Sequence, residues 1–199
     1  MDERRSVMSG RTAALRDAII EIVLLEGFFD LQMSDLAARL NCSKSTLYSI
    51  APSKEQLLTS VVRTFFRRAT EQVEAAVDPS APAVDQIGAY LNAVAVQLAP
   101  ASPAFFADLE RFAPAGDIYR KNTQIAAARV QDLVLEAAPG IDPTFLGAVA
   151  RLMMESIHRG EISRATGLDD SAAYRALSEL ILAGIAGGHV GHHTQRTAR

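Results

Sequence analysis

Apolar residues recur at helical spacing along nearly the whole chain, and no stretch alternates like a strand before a hairpin turn. That pattern restricts the fold to the all-α class. Arg11 to Glu26 carries Leu15, Ala18, Ile19, Ile22, Val23 and Leu25 on or near one face and stops at Gly27, a residue suited to the left-handed position after a helix. Two short helices follow, Gln32 to Leu40 and Ser43 to about Ser49, separated by Asn41, which tolerates a left-handed turn. Pro52 and Ser53 open a long helix from about Lys54 to Val77, which the DPSAPA stretch at residues 78–83 ends. Further helical patterns cover about 84–99, 103–112, 117–138, 143–159 and 170–187, punctuated by Pro100, Pro103, Pro114, Pro139 and Pro143. The aperiodic, glycine-rich run from Gly187 predicts a disordered tail over 188–199.

A chain of 199 residues, 49% of them hydrophobic, has ample material for a buried core without disulfides or metals. The single cysteine, Cys42, has no internal partner, which fits a reducing, cytoplasmic setting. No apolar run approaches the roughly 20 residues of a membrane helix, and the first ten residues lack the apolar centre of a secretory signal. The net charge of −3 is unevenly spread: residues 1–70 hold ten Lys and Arg against eight Asp and Glu, and the remainder ten against fifteen. A local basic face, not a basic total, is what a polyanionic partner requires.

The most informative run is MSDLAARLNCSKSTLYSIAPSKEQLL, residues 33–58. Leu36, Ala37, Leu40, Leu47 and Leu57 can face inward while Lys44, Ser45, Thr46 and Ser49 face out, the patterning of a helix-turn-helix. Ala37 is small where the two short helices cross. Ser43 can cap the second of them, leaving its positive end and the side chains of Lys44, Ser45 and Thr46 aimed at phosphates and base edges. Singly, a Ser-Lys-Ser-Thr run is usually just an exposed helix start and Tyr48 a half-buried core residue. Their joint order and spacing favour the DNA-reading interpretation.

These residues resemble the TetR/AcrR family of regulators. The matching positions are Leu36-Ala37, Asn41-Cys42-Ser43, Lys44-Ser45-Thr46-Leu47-Tyr48 and Pro52-Ser53-Lys54-Glu55-Gln56-Leu57, with Gly27-Phe28 similar to the junction after the family's first helix, so the resemblance covers roughly residues 11–60. The chain has Tyr48-Ser49-Ile50-Ala51 where the family usually has Tyr-x-aromatic-Phe, Gln32 where a Thr cap is usual, and Asn41 where Gly is usual. The resemblance implies that Tyr48 and Lys54 contact phosphates while Lys44, Ser45 and Thr46 approach bases, with Ser43 and Ser49 on the same face. It also implies partners: double-stranded operator DNA, a small-molecule effector, and a second copy of the chain bound through the last two long helices.

The expected organisation is a DNA-binding domain over residues 1–60, with 1–10 as a flexible arm, and a helical ligand-binding and dimerisation domain over 61–187. Arg4, Arg5 and Arg11 are candidates for an arm reaching DNA. For an effector pocket the candidates are Tyr90, Phe105, Phe106, Phe112, Tyr119, Met153, Met154 and His158, because ligand sites are apolar with a few polar groups to fix orientation. The same residues would serve an ordinary core. Helix 143–159, with Ala148, Val149, Leu152 and Ile157, and helix 170–187, with Ala173, Ala176, Leu177, Leu180, Ile181 and Gly184, suit close packing across a two-fold axis.

Two alternatives stay open on residues alone. One is a helical-bundle metal enzyme built on Glu155-x-x-His158, although a di-metal site needs two such motifs and the sequence has one copy. His189, His192 and His193 lie in the expected tail. The other is a dimeric DNA-binding protein without an effector. No nucleophile elbow, phosphate loop or dinucleotide fingerprint is present, so no catalysis, cofactor or resident metal is expected.

Overall fold

In the computed structural model, which describes residues 2–138, 140 and 142–193, every regular element is an α helix. Side chains are described from Thr12 onward, apart from Pro143, Ser171 and residues 187–193. The helices are α1 (Asp2–Glu26), α2 (Met33–Arg39), α3 (Lys44–Ile50), α4 (Lys54–Ala75), α5 (Ala83–Leu98), α6 (Pro103–Arg111), α7 (Ala113–Ala137), α8 (Pro143–His158), α9 (Glu161–Thr166) and α10 (Asp170–His193).

Three boundaries differ from the sequence expectation, each for a local reason. Helix α1 begins at Asp2 instead of leaving 1–10 as a flexible arm, because no proline interrupts the run and each added residue extends the hydrogen-bond ladder. The arm proposed for Arg4, Arg5 and Arg11 concerns side chains outside the described residues. Helix α7 starts at Ala113, since Pro114 falls in its first turn, where a missing N–H costs nothing. Helix α10 continues to His193, so residues 188–193 are helical where a disordered tail was expected: glycine weakens a helix without removing its hydrogen bonds. Residues 194–199 lie outside the described residues. The short α9, not foreseen, is bracketed by Gly160 and Gly167, both left-handed at φ 66° and 76°.

The chain divides into two compact units. The first takes residues up to Arg68 together with Pro100–Tyr119, and the second takes Ala69–Ala99 and the residues from Arg120 onward. The first unit thus extends beyond residue 60, where the sequence led us to expect a domain boundary, and takes in α6 and the start of α7.

In the first unit, α1 buries Ile19, Ile20, Val23 and Leu24, and α4 buries Leu57, Leu58, Val61, Val62, Phe65 and Phe66. Between them sits a chain of aromatic rings. Phe28 packs edge-on against Phe105 and Phe112 at 5.9 and 6.0 Å, and Phe105 against Phe65 at 5.8 Å. Such pairs add about 0.5–1.5 kcal/mol each beyond the area they bury. Ser102 caps α6 by accepting from the Phe105 N–H, and its own N–H donates to the Leu24 carbonyl at 2.8 Å, tying the start of α6 to α1.

The second unit is built on α10, which lies along α5 and also meets α8 and α9. Its core includes Ile87, Leu91, Val130, Leu133, Met154, Ile157, Tyr174 and Leu177. One polar pair is embedded there: the Tyr174 hydroxyl and His158 Nε2 share a hydrogen bond of 2.7 Å, joining α10 to the end of α8. Burial pushes the His158 imidazole down from its ordinary 6.5 to about 3, so it is neutral at physiological pH.

The consequence for stability has a definite sign. Between about pH 6.5 and 3 the unfolded chain binds a proton at His158 that the folded chain excludes, so stability falls as the pH drops through this window. One such proton corresponds to about 1.4 kcal/mol per pH unit. Urea unfolding of the wild-type chain and of His158→Gln at pH 7, 6 and 5 should show the variant less stable at pH 7 but less steeply weakened by acid. Parallel pH dependences would show that His158 is protonated in the fold.

Candidate nucleic-acid interface

The segment from α1 to the start of α4 builds one exposed ledge from short pieces. Gly27, at φ 81°, turns the chain out of α1, and its N–H closes on the Val23 carbonyl at 3.0 Å. Helix α2 buries Met33, Leu36 and Ala37. Asn41, at φ 47°, makes the turn between α2 and α3, while Cys42 N–H reaches back to the Ala37 carbonyl at 2.9 Å. Asparagine is one of the few side chains that visits this conformation routinely, which is why it can stand where the family usually has glycine.

Helix α3 has seven residues and buries one, Leu47, which is fully inaccessible. Its cap is the expected Ser43, whose Oγ accepts from the Thr46 N–H at 3.1 Å and lies 2.7 and 2.8 Å from the hydroxyls of Ser45 and Thr46. Ser49 donates to the Thr46 carbonyl at 2.7 Å. Lys44, Ser45, Tyr48 and Ser49 are exposed, Tyr48 to 47%, and Thr46 is half-buried. The outward face anticipated from the sequence is therefore free of packing. Ile50 and Ala51 point to the opposite use: Ala51 is buried, and Ile50 lines a crevice with Ile20, Leu57 and Val61.

Lys54, in the first turn of α4, donates its ammonium to the Phe29 carbonyl at 2.8 Å. An ammonium has three donors, so two remain for an outside anion. Ser53 caps α4 through the Gln56 N–H at 3.1 Å. Arg39 on α2 grips Glu26 at the end of α1 with both terminal nitrogens, and this hydrogen-bonded guanidinium holds the Glu26 carboxyl below its ordinary range. The pair is solvent-exposed and serves more to orient α2 than to stabilise it.

One participant was not anticipated. Asp108 on α6 accepts hydrogen bonds from the Phe28 and Phe29 N–H groups at 2.6 and 2.9 Å. No local pattern in the sequence announces this, since the partners stand 80 and 79 positions apart. Arg111, one turn on, places its guanidinium 3.8 Å above the Phe29 ring.

The eight pocket candidates are divided between the units. Phe105, Phe106, Phe112 and Tyr119 belong to the first, where Phe105 and Phe106 are buried and Phe112 and Tyr119 half-buried; Phe106 and Tyr119 pack at 6.0 Å. Tyr90, Met153, Met154 and His158 belong to the second. Tyr90 is buried, and its phenol is pushed up to about 12 by that burial and by the nearby Glu74 carboxylate. An apolar crevice of about 120 Å³ in the second unit is lined instead by Val134, Leu146, Val149, Ala150, Leu177, Leu180, Ile181 and Gly184. Glu155 pairs with Arg151 at 3.0 Å and His158 bonds Tyr174, so neither member of the Glu155-x-x-His158 motif is directed to a common ion. Among the described residues no cluster of three or more His, Cys, Asp or Glu could hold a metal.

A short capped helix, anchored by one leucine and bare on its other face, is the arrangement of a helix-turn-helix module. Residues 15–61 match the family of bacterial regulatory proteins described as the tetR family. Most of the chain shares its fold with solved regulators. A tetR-family bacterial regulatory protein from Rhodococcus RHA1 is 24% identical, with a TM-score of 0.62 over 87% of this chain and 96% of that one. A TetR-family transcriptional regulator from Streptomyces coelicolor is 20% identical, with a TM-score of 0.63 over 88% and 92%. The regulator FadR from Bacillus subtilis, solved with stearoyl-CoA, is 18% identical, with a TM-score of 0.60 over 87% and 97%. No curated protein matches the chain. Over residues 15–61 the chain is thus similar to the tetR family of bacterial regulatory proteins, and its fold is that of the solved regulators.

One local departure from the family pattern has a measurable effect. Gln32 occupies the N-cap of α2 with suitable extended dihedrals but makes no side-chain cap bond. Gln32→Thr should raise the stability of the first unit by about 1 kcal/mol, read as an upward shift of the urea midpoint with unchanged slope. A lower midpoint would mean that this N-terminus is already satisfied in another way.

Proposed function

We propose that the chain is a homodimeric repressor that grips a pseudo-palindromic operator with two copies of α3 and lets go when a small molecule binds the second unit. The observation that carries this reading is that α3 buries Leu47 and leaves Lys44, Ser45, Tyr48 and Ser49 outward. A major groove about 12 Å wide accepts one such helix. In this reading Lys44, Ser45 and Thr46 approach base edges. Ser43, Tyr48, Ser49 and Lys54 serve the backbone, with the Tyr48 phenol and the Lys54 ammonium on phosphates. Phosphate contacts set register and base contacts set sequence.

The dimer is supported by the exposed apolar side chains of the last long helices: Phe145 at 69% and Leu152 at 52% on α8, and Leu180 at 65% on α10. Monomers seldom leave several such side chains to water on neighbouring elements. A two-fold axis through this face would also cover the crevice lined by Leu180 and Gly184. An apolar effector is supported by the composition of the second unit and by the fold shared with a regulator solved with stearoyl-CoA. Such an effector must discriminate between states: moving a population from 1:99 to 99:1 takes about 5.5 kcal/mol of preference. A cytoplasmic location follows from the operator as partner, and no described helix is long and apolar enough to cross a membrane.

Genomic footprinting supplies the operator, and fluorescence anisotropy on that duplex and on a scrambled one tests the face. Lys44→Ala should weaken operator binding by about 1–3 kcal/mol while barely affecting the scrambled duplex, as removal of a base-edge hydrogen bond does. Tyr48→Phe should weaken both alike. Unchanged operator affinity in both variants, at fixed salt and unchanged helicity, would remove α3 from the DNA.

A further inference from the structure

The end of α1 leaves a specific problem. Gly27, at φ 81°, carries the chain away from the helix, and the next two backbone N–H groups, on the buried Phe28 and the more exposed Phe29, turn to a side chain on α6. Both are met by a single oxygen, Oδ2 of Asp108, at 2.6 and 2.9 Å. Asp108 is only 8% exposed. Bonds from neutral donors to a carboxylate are about twice as strong as neutral pairs, so this oxygen fixes the backbone at residues 28 and 29. The fit is close: a Cβ on Gly27 would stand 2.6 Å from the same oxygen. The other carboxylate oxygen lies 3.4 Å from Arg111, whose guanidinium covers the Phe29 ring.

Phe29 is thus held at both backbone groups. Its N–H is fixed by Asp108, and its carbonyl receives the Lys54 ammonium at 2.8 Å. A line runs from α6 through one residue of the α1–α2 corner to the first turn of α4, entirely inside the first unit. Without the carbonyl, a lysine on the surface samples many rotamers, and ordering it on a phosphate costs that entropy.

We propose that Asp108 is a positioning residue for operator binding: by fixing Phe29 it presets the Lys54 ammonium at the place where it meets a DNA phosphate. The inference rests on the reading of Lys54 as a phosphate contact and adds a residue on α6 that does not itself touch DNA.

The test is a double-mutant cycle on the full chain, using a fluorescein-labelled duplex of the footprinted operator across a salt series. Lys54→Ala should lower the slope of log affinity against log salt by about 0.9 for each phosphate that the ammonium neutralises. Asp108→Ala should weaken binding about threefold or more and lower the slope in the same sense, with Asp108→Asn, which keeps an acceptor oxygen, intermediate. In the Lys54→Ala background either change at Asp108 should cost less than about twofold, the scatter of independent sites. Should Asp108→Ala fail to fold by circular dichroism, the Asp108→Asn cycle gives the same readout. Losses that multiply in the double variant would overturn the positioning role while leaving Lys54 on the DNA. A Lys54→Ala variant with unchanged affinity and slope would instead remove Lys54 from the interface and the proposal with it.

Discussion

A helix of seven residues does not persist by itself in water, because forming its first turn costs more than the few hydrogen bonds it then gains. Helix α3 exists because Leu47 is drawn fully out of solvent, Ser43 satisfies its first free N–H, and Ala37 leaves room for the close passage of α2. Everything else in the first unit supports that one anchoring. The aromatic rings of α4, α6 and α7 give α1 a rigid bed, α1 hands the chain to α2 at Gly27, and α2 presents α3. Because the anchoring uses one side of α3 only, the other is available to a groove.

Much of this was legible in the residues. Period-3.6 patterning located the helices, and the run from Leu36 to Leu57 revealed both the crossing and its outward face. Single residues with unambiguous chemistry, such as Ser43 as a cap and Asn41 as a left-handed turn, stand where their side chains predict. What was not legible depends on contacts distant in sequence. That Phe105 and Phe112 both pack against Phe28 is not visible in a string, because Phe28 lies more than seventy positions earlier. Asp108 reads as an ordinary surface acid until the two N–H groups it serves are seen. Short helices between glycines, such as α9, carry too few residues to show a period.

The second unit follows a different logic. Its core is mostly aliphatic, and it holds an embedded polar pair, His158 with Tyr174, that joins α8 to α10. In the proposed dimer a symmetric copy would bury the exposed leucines of α8 and α10.

The inclusion of α6 in the first unit also orders events during synthesis. Residues 69–99 belong to the second unit, yet they are made before Pro100–Tyr119, which complete the first. A growing chain that has released residue 60 therefore holds α1 to α3 with the aromatic bed unfinished and two backbone donors unserved, and native closure awaits a segment translated after part of the neighbouring unit. The two units are interleaved in time as well as in sequence, so the DNA-reading head is not an independent beginning that the remainder merely follows.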